Sequence, residues 1–131
     1  MNTKILMASS SFFMGVLGIL FSFLPQEILS FVELDSNGIA PLFIQVLGAL
    51  YFAFAMINWM VKASLIGGIY NRPVAMGNFI HFLMGALALV KGIRVVQVST
   101  AFLVVCIIYS TFAILFGIVL FKHPIKDEGA K

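Results

Sequence analysis

Four long stretches with almost no charge decide what this chain can fold into: Ile5 to Leu24, Pro41 to Val61, Pro73 to Val90 and Ala101 to Phe121. The hydrocarbon core of a bilayer is about 30 Å thick, and a helix crosses it in roughly 20 apolar residues. No water reaches the backbone at that depth, so its polar groups must be paired inside a helix or around a closed barrel. The pattern predicts an all-α integral membrane protein, a four-helix transmembrane bundle forming one domain over residues 1–131. The third stretch is the shortest and is expected to extend into Lys91 to Val95. Composition points the same way, with 62% hydrophobic and 10% charged residues, where soluble domains carry about 25% charged. The run from Ile5 follows Lys4 as a signal core would, but it is longer than the roughly 7 to 15 residues of such a core and no A-x-A-like site follows it. It is read as an uncleaved first span.

Proline and glycine set the boundaries. Pro41 and Pro73 open the second and third spans, where a missing N–H costs nothing because first-turn donors have no helical partner. Pro25 is placed to open a short amphipathic helix on the membrane surface within the segment 25–40, and Ser36-Asn37-Gly38 to end it. The connection 62–72 carries Gly67-Gly68 and reads as a turn-rich loop. The tail 123–131 is polar and expected to fray.

Basic residues fix the expected orientation. Lys4, Lys62, Arg72, Lys122, Lys126 and Lys131 fall on one side and only Lys91 and Arg94 on the other, which puts both termini in the cytoplasm. Trp59 and Tyr70 then lie at the cytoplasmic interface, where amphipathic rings collect. Eight scattered cations do not form a nucleic-acid patch, and a single cysteine, Cys106, excludes an internal disulfide or a CxxC relay.

Residues spaced i, i+4, i+7 and i+11 share a helical face. The first span offers Ser11, Gly15, Gly18 and Ser22 there, and the fourth Cys106, Ser110, Ala113 and Gly117. These small residues suit close helix packing in lipid. The second span aligns Gly48, Tyr51, Ala55, Asn58 and Lys62; the third aligns Val74, Gly77, Asn78, His81, Gly85, Ala88 and Gly92. At about 1.5 Å rise per residue, Asn58 is level with Asn78, and Tyr51 with His81. Ser9, Ser10 and Ser11 enter at similar depth, and Tyr109 slightly deeper. A polar cluster of Tyr51, Asn58, Asn78, His81 and Tyr109, open toward the cytoplasm, is the expected site.

Such a cluster can bind the polar end of a lipophilic molecule; interhelical glue is the commoner role for such residues, through hydrogen bonds that average about 0.6 kcal/mol in membrane proteins. The spans contain no Asp or Glu, one Cys and one His, too few ligands for a closed metal site, so no metal and no cofactor is expected. The same lack of carboxylates argues against proton-coupled export and against paired-carboxylate catalysis, and no catalytic residue is assigned. Lys62 and Arg72, flanking the Gly67-Gly68 loop, are candidate contacts for lipid headgroups or anions. The expected function is therefore binding of a lipophile or a membrane partner; a small oligomeric transporter is the second reading, and a lipid-modifying enzyme using His81 the third. Membrane lipids are the expected partners, with a homo-oligomer or another membrane protein also compatible, and no nucleic acid.

The four-span layout, Gly15 and Gly18 in the first span, Pro25 just after it and the polar stretch from Asn58 to His81 together resemble the DoxX-like group of small bacterial membrane proteins. The likeness covers most of the chain at the level of topology and implies a bacterial cytoplasmic membrane. The segment Gly67-Gly68-Ile69-Tyr70-Asn71-Arg72-Pro73, followed by Asn78 and His81, looks like the signature of a narrower family. Neither likeness supplies a catalytic residue.

Overall fold

A computed structural model describes residues 2–64, 71–94 and 98–122. Five helices follow one another: α1 (Thr3–Phe23), α2 (Pro25–Phe31), α3 (Ala40–Val61), α4 (Arg72–Gly92) and α5 (Thr100–Lys122), and the described residues form no strand. All but α2 are long and apolar enough to cross a membrane. The burial pattern fits that solvent. Asn58 and Asn78 are fully buried while Phe12 is 75% exposed, the reverse of what water selects, so the protein is all-α and its four long helices mark it as an integral membrane protein.

The helix starts follow the expected chemistry. The Asn2 side chain accepts a hydrogen bond from the Lys4 N–H at 3.1 Å, Ser99 Oγ accepts from the Phe102 N–H at 3.2 Å, and α2, α3 and α4 each carry proline in the first turn. Both side-chain caps satisfy donors that a helix leaves unpaired. The third span is longer than its apolar run, because α4 continues through Lys91 to Gly92 and a lysine stem can reach from hydrocarbon to the interface.

The surface helix is shorter than expected. It ends at Phe31, not at Ser36-Asn37-Gly38. Glu33 turns into the left-handed region at φ 58°, letting the Leu34 N–H donate to the Leu29 carbonyl at 2.9 Å and the Glu33 N–H to the Ser30 carbonyl at 3.1 Å. That is a Schellman ending, with glutamate where glycine is usual. Gly38, at φ 88°, turns the chain again just before α3. Pro25 and Leu29 are buried where α2 meets α1 and α3. Glu33→Gly is expected to stabilise this ending by about 0.5–1 kcal/mol, by removing left-handed strain and a negative charge from a helix C-terminus. Slower hydrogen exchange at the Leu34 amide is the readout.

The chain forms two compact units, Met1–Ala63 and Ser64–Lys131. In the first, α1 packs along α3 at a distance set by glycine. A Cβ on Gly18 would lie 2.7 Å from the Phe52 backbone nitrogen, and one on Gly48 would lie 2.6 Å from the Ser22 nitrogen and 2.9 Å from the Gly18 carbonyl oxygen. Backbone thus meets backbone, the arrangement by which small residues drive association in lipid. The second unit pairs α4 with α5 differently, with aromatic rings filling the seam.

The predicted faces fared unequally. Gly48, Tyr51, Ala55 and Asn58 are the buried residues of α3, as expected. On α1, Ser11 and Gly18 are buried, but the face is centred on Met7, Ser10 and Met14, leaving Gly15 and Ser22 at its margin. On α4 the buried residues are Ala75, Asn78, Phe82 and Ala86. The face is rotated by one residue from the predicted one, which leaves Ala88 exposed and Val74, Gly77, His81, Gly85 and Gly92 half-buried. The Phe82 ring has far more surface to pack than the polar groups that suggested the other stripe. On α5, Cys106 and Ala113 are buried with Tyr109 and Phe116, while Ser110 and Gly117 stand beside them.

Candidate functional site

The five candidate residues divide between the units. Tyr51 and Asn58 belong to the first, and Asn78, His81 and Tyr109 to the second.

Asn58 is part of the packing between α1 and α3. Its side-chain amide donates to Ser10 Oγ at 3.1 Å and lies 3.8 Å from the Met14 sulfur, while Ser10 Oγ donates onward to the Met7 carbonyl at 3.1 Å. One turn away, Ser11 Oγ donates to the Ala55 carbonyl at 2.7 Å. These bonds join the helices where hydrocarbon offers no alternative partner. Tyr51 packs edge-on against Phe21, ring centroids 5.6 Å apart. The three consecutive serines and the depth of Asn58 made this group foreseeable; the part played by Met14 was not, because a thioether gives no polar signal.

Asn78 is fully buried and donates to the Val74 carbonyl of its own helix at 2.9 Å. One turn on, the structure does bring two candidates together. The His81 and Tyr109 rings lie 5.8 Å apart, and Phe82 joins both, 5.1 Å from His81 and 5.4 Å from Tyr109. Phe82 also stacks on Phe112 at 4.8 Å and on Phe116 at 5.8 Å. The Tyr109 ring rests on Gly85, where a Cβ would come within 2.6 Å of its Cδ1. His81 is the tenth residue of α4, about 13 Å from its start at 1.5 Å per residue, and half-buried. Rings hold it in place and part of its surface stays open. The two ring nitrogens of His81 are the hydrogen-bonding groups of this seat, and Nε2 is buried within it. Phe82 is the residue that the sequence reading missed; its only signal was its i+4 spacing from Asn78 and Ala86.

Of the two headgroup candidates, Lys62 caps α3 with its ammonium 2.7 Å from the centroid of the Trp59 ring. Arg72 begins α4 in the other unit and is exposed. Gly67-Gly68 and Tyr70 lie outside the described residues, as does His123. Among the described residues, no three His, Cys, Asp or Glu side chains gather as a metal site would require. The first unit also has a groove of about 360 Å³ lined by Gly18, Ile19, Ser22, Phe23, Ala49 and Phe52. It is almost wholly apolar. No family model, curated protein or solved structure matches the chain, so the topological resemblance brings no residue role with it.

Proposed function

We propose that this protein binds a lipophilic molecule with a polar end, using the imidazole of His81 and the aromatic seat around it, in a bacterial cytoplasmic membrane with both termini inside. The observation that carries the reading is a half-buried imidazole near the middle of an apolar helix, braced by Tyr109 and Phe82. Polar side chains at that depth are costly and face a protein interior or a ligand path. The rings supply flat apolar surface, and the imidazole supplies a directional hydrogen bond. Asn58 and Asn78, both buried and hydrogen-bonded, serve as packing in this reading. Binding is favoured over catalysis because the four long helices contain no carboxylate to work with the imidazole as acid or base.

The test is retention of a panel of quinones and phospholipids by the purified protein. His81→Phe keeps a ring in the seam and removes the hydrogen-bonding nitrogens. Its affinity for the retained compound is expected to fall roughly tenfold, about the effect of one directed hydrogen bond. Photoreactive analogues of that compound should label residues near His81 and Tyr109. Equal retention by wild type and His81→Phe would sink the proposal.

A further inference from the structure

The first unit ends in two cations that its own packing does not require. Ser11 of α1 bonds Ala55 of α3. Seven residues are two helical turns, so moving back from Ser11 and forward from Ala55 by that step reaches Lys4 and Lys62. The register therefore brings the two lysines to the same end of the pair, facing each other.

Lys62 sits favourably at the C-terminal end of α3 and over the Trp59 ring, but Lys4 has no such support. Lys4 stands in the first turn of α1, where the positive end of the helix opposes a cation. Among the described residues of this unit, every carboxylate lies in the connection at the far end, at Glu27, Glu33 and Asp35. That is roughly 30 Å away along α1 at 1.5 Å per residue. Partial burial, and then the neighbouring Lys4 charge, hold the Lys62 ammonium below the usual lysine value. Two like charges kept together, with no carboxylate beside them among the described residues of this unit, are suited to an anion from outside. Trp59, 52% exposed beneath Lys62, is a side chain suited to the headgroup region.

We infer that this end of the hairpin binds the headgroup of an anionic phospholipid, its phosphate lying between the Lys4 and Lys62 ammonium groups beside the Trp59 ring. The inference is independent of the His81 site, which lies in the other unit. Of the two headgroup candidates in the sequence, it concerns Lys62 and sets Lys4 beside it.

Trp59 is the one tryptophan in the chain, so fluorescence excited selectively at tryptophan reports on this place alone. The full-length protein is reconstituted into phosphatidylcholine vesicles containing a fifth phosphatidylglycerol, with bromine on the acyl chains of one lipid or the other. At equal mole fraction, brominated phosphatidylglycerol is expected to quench Trp59 several-fold more effectively than brominated phosphatidylcholine. Lys4→Gln and Lys62→Gln should each lower that preference by about half, since each removes one of two attracting charges, and the double variant should abolish it. The charge-preserving pair Lys4→Arg and Lys62→Arg should retain it, as should Lys91→Gln. Equal quenching by the two lipids overturns the inference, and so does a preference that survives in the double variant. Loss of the preference on adding 10 mM inorganic phosphate, at constant ionic strength, would also overturn it and identify free phosphate as the ligand.

Discussion

Replacing Gly48 with valine will part α1 from α3. A Cβ at this position lies 2.6 Å from the backbone nitrogen and Oγ of Ser22 and 2.9 Å from the Gly18 carbonyl oxygen. The Ser22 hydroxyl can rotate away, but the two backbone atoms cannot, so the helices must separate. Separation lengthens the Ser11 to Ala55 and Asn58 to Ser10 hydrogen bonds, which have no water to replace them. Overpacking against backbone belongs at the upper end of its usual range, about 3 kcal/mol. Gly15 and Ala55 provide the measurement. A Cβ on Gly15 would be 3.6 Å from that of Ala55, within the roughly 3.5–4.5 Å that a disulfide spans. With Cys106→Ser as background, Gly15→Cys with Ala55→Cys should crosslink readily under mild oxidation in membranes, and adding Gly48→Val should suppress it. Undiminished crosslinking would mean that the crossing is not set by these glycines.

Phe82→Ala will loosen the second unit by about 2–3 kcal/mol. The ring is fully buried and touches His81, Tyr109, Phe112 and Phe116. A buried Phe→Ala change in a soluble core costs about 3–5 kcal/mol, part of it transfer of the ring from water. In lipid that part shrinks, and lost packing remains. Tyr109 and His81 then lose the ring that spaces them, so ligand retention at His81 should fall along with stability. Phe82→Leu, which refills much of the space, should recover more than half of the stability. Denaturation in mixed detergent, followed by the exchange of α4 and α5 amides, measures both variants. A cost below about 1 kcal/mol for Phe82→Ala would show that the aromatic seam does not hold these helices together.

The candidate site was legible to very different degrees at its different residues. Asn58 was identified correctly as facing a helix partner, because polarity, glycine and alanine fell on one stripe of α3. Its partner Ser10 was in view, but as one of three serines without means of choosing among them. On α4 the same reasoning followed the polar residues and chose a face one residue away from the one that Phe82 occupies. His81 thereby became half-buried where it had been expected inside. The early end of α2 was hidden for another reason: glutamate in a left-handed position has no local signature, and only the hydrogen bonds from Glu33 and Leu34 back to α2 reveal it.

The sequence by itself determined the four spans, the starts of α2, α3 and α4 at prolines, and the segregation of charge between the connections. These depend on apolarity and length along a single segment, which a bilayer tests one helix at a time. Only the tertiary structure decided which stripe of each helix is inside, that backbone meets backbone at Gly18 and Gly48, that rings fill the seam of the second unit, and that Lys4 comes to Lys62. In water, burial separates apolar from polar faces and writes the core into the sequence. In hydrocarbon every face is apolar enough to be left outside, so the inner face is chosen by fit between helices far apart in the chain.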